Sequence, residues 1–508
     1  MPLDDAASAR IAPYVSSTTD DVFALSGLPE EVIAVLFAYY SRSRDDLRTN
    51  LARLLADQEI DVVEGVAARP SFGLATEKAR AFHEKWVVGY GHASVAEHAV
   101  VHLALENVSI VASKVIEDLR LGSFTEKSTR YVVFDRNSFV DLPVLGDKLH
   151  ALYRSTCEQL FASYLDLMPV VTEALKARLP RAEGMTDGAY AAAIRAQACD
   201  LLRGLLPAGT RTNIGLSANA RALEGLLSKM LSNPLSEVRG LATAMHRASL
   251  TVAPTLVKYA RENPYRATLH ECVQEKLSAI YSPGPWDTSV TSVIGQPVRL
   301  VRHDPDALDR ILVALAYDGS EPNVHLRGLV EALRQATRAE REGILRASLE
   351  RRGPYDAAPR AFEATTMTFE FLLDYGAYRD LQRHRMLLPT TQRLTCRLGF
   401  ETPAELVEFG LADSYTRTMA TAIDAWEQLE AEFPLEAQYA VPLGFRIRTL
   451  WTLNLREVMH VIELRSAKQG HASYRRIAQA MYRTVIHAHP WLEGLIRVDL
   501  EDYALARA

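Results

Sequence analysis

Apolar and polar residues alternate from Val101 to Leu105 in EHAVVHLALENV, the period of a half-buried strand. The same period returns in EATTMTFEFLL, through Met367, Phe369 and Phe371. Each stretch is preceded by an acidic residue, Glu97 or Glu363, and followed by a segment with helix-like spacing, SIVASKVIEDL or YGAYRDLQRHRML. VRLVRHDPDALDRILVALAY reads as a short strand, a turn and an amphipathic helix, and much of the remainder is helical by pattern, as in ALEGLLSKML and AQAMYRTVIHAHPWLEGLI.

The strand-then-helix order thus occurs twice, and a second pair of segments repeats it. In PAGTRTNIGLSANAR, residues Pro207, Gly209, Arg211, Asn219 and Arg221 align without a gap on Pro442, Gly444, Arg446, Asn454 and Arg456 of PLGFRIRTLWTLNLR. One offset of 235 residues, as from Pro207 to Pro442, accounts for all five identities. Two blocks in the same order indicate a duplicated domain. Turn-forming residues cluster in SPGPWDTSVTSVIGQP, which places the division there: a first domain over 1–285, a linker over 286–296 and a second domain over 297–508.

Composition narrows the class without changing this picture. A chain of 508 residues exceeds one hydrophobic core, and 48% hydrophobic with 24% charged residues is ordinary for a globular protein. The net charge of −6 argues against broad nucleic-acid binding, so any anion site is local. The 4 cysteines (Cys157, Cys199, Cys272 and Cys396) are widely spaced and form no CxxC pair, as expected of free thiols in a reducing compartment. With neither a signal-like N-terminus nor an apolar run of membrane length, the expectation is a soluble cytoplasmic protein. His92 and His98 are six apart without a third histidine nearby, so no metal site is expected, and no GxGxxG or GxxxxGK[ST] signature occurs.

Candidate chemistry collects in two places. DLQRHRMLLPTTQRL crowds Arg383, His384, Arg385 and Arg393 together, a cluster that either forms a solvated face or meets an anion. In SFTEKSTRYVVFD, Glu126, Ser128 and Arg130 alternate along what reads as an extended segment, which would put a carboxylate, a hydroxyl and a guanidinium on one side. The plainer alternative is a solvated edge strand. Asn219 and Asn454 have a structural reading as helix caps, and Arg221 and Arg456 as partners of nearby acids. His98 and His102, beside an apolar strand, read as packed histidines.

GHASVAEH followed by a strand, a helix and EKSTRY, the Arg-His-Arg cluster, and the later NAR and NLR blocks together resemble the flavin-dependent thymidylate synthases. The resemblance spans roughly 85–250 and 297–490, two synthase-like domains in tandem, each with an incomplete signature. It implies an α+β fold, each domain a mainly antiparallel sheet flanked by long helices. In that family, sites lie between subunits of a homotetramer, so two copies of this chain are expected to make a dimer that imitates it.

The resemblance also implies roles, and they divide between the halves. Glu126, Ser128, Arg130 and Arg203 match the face that holds the substrate nucleotide, and all lie in the first half. Arg383, His384, Arg385 and Arg465 match the opposite face, in the second half; Arg383 serves nucleotide and cofactor, and Arg465 is the catalytic arginine at the uracil carbonyl. The reciprocal positions are altered, with Met230 corresponding to Arg465 and Gln438 to Arg203. FAD would be held by Ser94, Glu97, Arg383, His384, Arg385, Asn454, Arg456, His460 and His471. The implied reaction methylates dUMP reductively, with methylenetetrahydrofolate and NADPH as co-substrates. Asp380, Gln382 and Pro389, with a spacer shorter by about two residues, depart from the family pattern. They leave two alternatives open: C5 chemistry on another pyrimidine nucleotide such as UMP, or a non-catalytic nucleotide- or flavin-binding descendant.

Overall fold

The same short device starts the helix after each of four strands. Strand β1 (Val100–Ser109) ends in Ser109, whose hydroxyl accepts from the Ala112 amide and opens the helix Ile110–Glu117. Strand β3 (Arg211–Asn219) ends in Asn219, which caps Ala220–Leu231. Strand β5 (Thr366–Asp374) ends in Asp374, which caps Tyr375–Leu381, and β7 (Arg446–Asn454) ends in Asn454, which caps Leu455–Ser466. Ser, Asn and Asp suit this position because a short polar side chain satisfies an amide that the first helical turn leaves unpaired. The structural reading of Asn219 and Asn454 therefore holds.

The computed structural model describes residues 4–19, 23, 25–30, 32–34, 36, 46–56, 93–281, 296–318 and 320–503. His92 and nearly all of the proposed 286–296 linker lie outside the described residues. The three remaining strands are β2 (Gly122–Glu126), β4 (Val298–His303) and β6 (Leu387–Thr391). Among the described residues they complete a three-stranded sheet, β1-β3-β2, and a four-stranded sheet, β4-β5-β7-β6. Gly122 of β2 stands opposite Ala218 of β3, antiparallel, as Leu387 of β6 stands opposite Leu453 of β7. Ala218 and Leu453 differ by the 235-residue offset, so the two sheets repeat one topology, and β4 is an added edge strand on the second. This is the expected α+β architecture. No helix among the described residues is long and apolar enough to cross a membrane.

The chain forms two compact units, and they do not coincide with the two sequence halves. The first comprises Met1–Asn107, Leu119–Glu126 and Asn213–Ser282; the second comprises Val108–Asp118, Lys127–Thr212 and Pro283–Ala508. The second unit therefore takes residues from both halves. Its core includes two long helices, Gly146–Arg178 and Ala412–Glu432, in which Tyr153, Tyr164, Tyr415 and Trp426 are fully buried.

Within this unit the repeated Pro-x-Gly turns meet each other through their backbones. Pro207 and Pro442 form an antiparallel bridge. The Gly209 amide donates to the Tyr439 carbonyl at 2.7 Å, and the Gly444 amide donates to the Gly204 carbonyl at 2.9 Å. Ala208 donates to Val441 at 2.8 Å, and Leu443 to Leu206 at 2.9 Å. Each bond maps onto its counterpart by the same 235-residue offset, as from Gly209 to Gly444, so the contact has pseudo-two-fold symmetry. The glycines recur because there is no room for a side chain. A Cβ at Gly209 would collide with the Tyr153 hydroxyl and stand 3.0 Å from the Tyr439 oxygen, and one at Gly444 would stand 2.8 Å from the Tyr415 hydroxyl.

Two local expectations are corrected. The segment YGAYRDLQRHRML is helical only to Leu381; Arg383, His384 and Arg385 lie in a turn before β6, closed by the His384 amide donating to the Leu381 carbonyl at 3.0 Å. The EKSTR segment is extended only to Glu126. The Ser128 hydroxyl accepts from the Arg130 amide at 3.1 Å and the Ser128 carbonyl from Val132 at 3.2 Å, so the chain turns and the strand alternation from Glu126 to Arg130 is lost.

Gly209→Ala is expected to destabilise the protein by about 1–3 kcal/mol through overpacking at the bridge. Gly225→Ala, in the helix Ala220–Leu231 with nothing within 4 Å of the added methyl, should instead stabilise by up to about 1 kcal/mol. Denaturant midpoints of the two variants check this; equal effects would count against the close approach.

Candidate active site

The second unit brings residues from both expected sets around one aromatic side chain. Arg130, from the first half, donates through Nη1 to the Tyr474 hydroxyl at 3.1 Å, with its guanidinium carbon 5.5 Å from the ring centroid. Arg465, from the second half, lies 5.6 Å from the same centroid. Tyr474 sits in the first turn of the helix Ala472–Ala488, and Arg465 in the last turn of Leu455–Ser466. Helix packing thus joins what the sequence separates.

Arg130 and Arg203, expected to hold a phosphate, are each paired with a carboxylate. Arg130 makes a bidentate contact with Asp200, Nε to Oδ1 at 2.9 Å and Nη2 to Oδ2 at 3.0 Å. Burial by itself lowers the Arg130 pKa, but the Asp200 hydrogen bonds and charge overcome it and raise the value above the ordinary one. Arg203, only 4% exposed, donates Nη1 to Asp380 at 3.0 Å. Burial would raise the Asp380 carboxyl, yet the charges of Arg203 and Arg130 hold it down at about 2. The Nη2 group of Arg203 is buried and has no partner. Arg203 also packs on Gly376, where a Cβ would lie 3.3 Å from its Nε.

His384 is a buried ring held from both sides. Its Nδ1 faces Glu457 Oε1 at 3.0 Å and its Nε2 faces Arg465 Nε at 2.9 Å. An arginine Nε–H can only donate, so Nε2 is the acceptor and the proton sits on Nδ1, donated to Glu457. Burial, together with the Arg465 charge, lowers the His384 pKa and favours this neutral form. The exposed ring of His460 lies edge-on to His384 at 5.2 Å. Arg383 is exposed and Arg385 half-buried beside it. His471 caps the helix Ala472–Ala488 through Nδ1 and donates from Nε2 to the Asp200 carbonyl at 3.3 Å. Burial and the Arg203 charge push its pKa down to about 4, so it is neutral at physiological pH.

The other expected residues stand as follows. Asn454 caps its helix through the Glu457 amide at 2.9 Å, and Arg456 is bound to Glu363 at 2.9 Å and to the Ala358 carbonyl at 2.7 Å. Ser128, half-buried, braces the turn that presents Arg130. Ser94, Glu97 and Glu126 belong to the first unit; Ser94 is exposed, Glu126 ends β2, and Glu97 pairs with Arg221 at 2.5 Å. That pair repeats Glu363–Arg456 of the second half. Beside Arg203 the second unit contains a cavity of about 550 Å³, lined by Asp200, Asp374, Arg446, His471 and Ser473 and by apolar residues that include Leu372, Leu443 and Ile477. Asp200, Glu457 and Tyr474 were not singled out from the sequence. One signal was available: Gly470-His471-Ala472-Ser473, just before Tyr474, spells the same tetrapeptide as Gly91-His92-Ala93-Ser94.

The two halves each carry an antiparallel sheet, and the second unit gathers arginines and histidines from both; sequence comparison specifies the class. The thymidylate synthase complementing protein family matches residues 36–255 and 299–491, one segment in each half. The chain therefore belongs to this family, the flavin-dependent thymidylate synthases, as a tandem duplication. It is 34% identical to a UPF0159 protein of Chlamydia pneumoniae over 98% of this chain and 95% of that one. It is 26% identical to a flavin-dependent thymidylate synthase of Thermococcus kodakarensis, over 42% of this chain and 80% of that protein. A UPF0159 protein of Thermoplasma acidophilum is 29% identical over 84% of this chain and 90% of its own length.

Asp380→Asn should leave the Arg203 charge buried without its counter-ion and cost about 3–5 kcal/mol at neutral pH. The Asp380 carboxyl is depressed from an ordinary value of 3.8 to about 2, so its contribution is present above about pH 4 and is lost as the pH falls toward 2. Chemical denaturation across that window should show a shallower acid limb in Asp380→Asn than in the wild type. Parallel limbs would mean that Asp380 is not held in this way.

Proposed function

We propose that the chain is a flavin-dependent enzyme that methylates a pyrimidine nucleotide reductively at C5, converting dUMP to dTMP with methylenetetrahydrofolate and NADPH. The observation that carries this reading is the meeting of Arg130 and Arg203 with His384 and Arg465 inside one compact unit. The residues fit anionic ligands: Arg203 keeps an orphaned buried Nη2, and the side chains that directly hold Arg465 are the His384 and Tyr474 rings, with the Asp380 charge shared between Arg465 and Arg203.

Bound FAD, in its reduced form, would supply the hydride. Arg383 and Arg385 would meet its phosphates, because a guanidinium fork binds phosphate oxygens in pairs and stays charged. His384 and His460 would line the approach, and Ser94, Glu97, Asn454, Arg456 and His471 are carried over from the family with smaller roles, since Glu97, Asn454, Arg456 and His471 already serve as pair or cap. Arg465 would donate to the uracil carbonyl and stabilise the negative charge that develops as C5 attacks. Arg203 Nη2 would hold the nucleotide phosphate, with Arg130 bound to Asp200 and Ser128 bracing the turn that presents Arg130. The cavity lined by Arg203, Asp200 and His471 would partly shelter the phosphate from bulk water and so strengthen its contact with Arg203.

A second reading, UMP as substrate, is favoured by Asp380. An ionised carboxylate within the cluster is an acceptor for a ribose hydroxyl that dUMP lacks.

The visible spectrum of the protein with FAD, recorded before and after dUMP, tests the proposal. Flavin bands are expected to shift with dUMP, and Arg465→Ala should abolish the shift. A response to UMP alone selects the second reading. Failure to take up FAD at all would falsify both.

A further inference from the structure

We infer that Glu457 is a positioning residue: it fixes the tautomer of His384 and thereby aims Arg465. The inference rests on reading Arg465 as a ligand-binding arginine. Glu457 is in the first turn of the helix Leu455–Ser466, where its amide is held by Asn454 Oδ1 at 2.9 Å and a negative side chain is favoured by the helix dipole. Its carboxylate accepts a hydrogen bond from His384 Nδ1–H at 3.0 Å, which leaves Nε2 bare to accept from Arg465 Nε at 2.9 Å. The nitrogen that carries the proton in a neutral imidazole is set by the hydrogen bond made at the other nitrogen. Without Glu457, a proton on Nε2 would oppose the Arg465 Nε–H, donor against donor, and the guanidinium would turn away.

Correspondence with the first half supports treating the three as a set. The strand registers that match Gly122 with Leu387, an offset of 265 residues, carry His384 onto Leu119. The 235-residue offset, as from Asn219 to Asn454, carries Glu457 onto Ala222 and Arg465 onto Met230. All three polar residues are replaced by apolar ones in the other copy. The Asn caps Asn219 and Asn454 persist in both, so Glu457 is not needed to start the helix.

Calorimetric binding of dUMP to the full-length protein, alone and with FAD, compares wild type with Glu457→Ala, Glu457→Gln, Arg465→Ala and the Glu457→Ala/Arg465→Ala double variant. Glu457→Ala is expected to weaken dUMP binding about tenfold or more, the loss typical of a hydrogen bond to a charged group. Glu457→Gln should stay near wild type, because its amide oxygen still accepts the Nδ1 proton. The double variant should bind no more weakly than Arg465→Ala alone, since both act through one guanidinium. Wild-type affinity in Glu457→Ala beside a loss in Arg465→Ala overturns the inference while leaving the nucleotide reading intact. If the wild type itself ignores dUMP, the dUMP reading fails separately. Nitrogen-15 spectra of the imidazoles, with His384 assigned by His384→Gln, then decide the inference. A proton on Nδ1 that moves to Nε2 in Glu457→Ala sustains it, and an unchanged tautomer overturns it.

Discussion

The backbone pairing of Pro207–Gly209 with Pro442–Gly444 is the contact on which the site depends. Its hydrogen bonds run from amide to carbonyl, so they impose no side-chain identity except glycine where the other chain segment or a tyrosine leaves no room. The rest follows by short distances along the chain. Arg203 opens the 3-10 turn that leads into the bridge from one side. On the other side the Gly376 amide is bonded to the Leu443 carbonyl at 2.9 Å, which fixes the helix Tyr375–Leu381 that bears Asp380. The ion pair Arg203–Asp380 therefore forms where the two repeats are registered against each other.

Around that bridge the cluster is balanced by paired charges and neutral histidines. Burying a lone arginine or aspartate costs several kcal/mol, and pairing recovers much of it only when geometry and further hydrogen bonds are good. Arg130–Asp200 meets that condition through two parallel contacts, and Arg203–Asp380 meets it in part, with Arg203 Nη2 left over. The buried ring of His384 and the half-buried ring of His471 are depressed in pKa and favour the neutral form, so they shape the site by accepting and donating hydrogen bonds instead of adding to its charge. Arg465 is held directly by two rings, His384 and Tyr474, while the Asp380 carboxylate acts on its charge without a direct contact in that pair.

Period and offset made much of the fold legible. The alternation at Val101–Leu105 and at Met367–Phe371 lies within β1 and β5, and the five repeated positions from Pro207 to Arg221 correspond to a bridge, a close approach, a strand start, a cap and an ion pair. The losses at Met230 and Gln438, opposite Arg465 and Arg203, are visible in the sequence itself. What stayed hidden is chemistry between distant residues. Asp200 is unmarked in the sequence, Asp380 stands out only as a departure from the family pattern until burial pairs it with Arg203, and Glu457 gains meaning only through a ring 73 residues away. The extended reading of Glu126–Arg130 failed for a local reason, a serine hydroxyl that competes for the backbone amide.

Fusion of the two repeats changes the thermodynamics of the contact they share. Between separate chains, such a contact would form against an estimated 4–15 kcal/mol of lost translational and rotational freedom and would weaken on dilution. On one polypeptide it is governed by an effective concentration set by the connecting chain, which is independent of how much protein is present. The unlike faces are also always supplied one to one. A cell that makes very little of this protein therefore still makes each copy with Arg203 already beside Asp380.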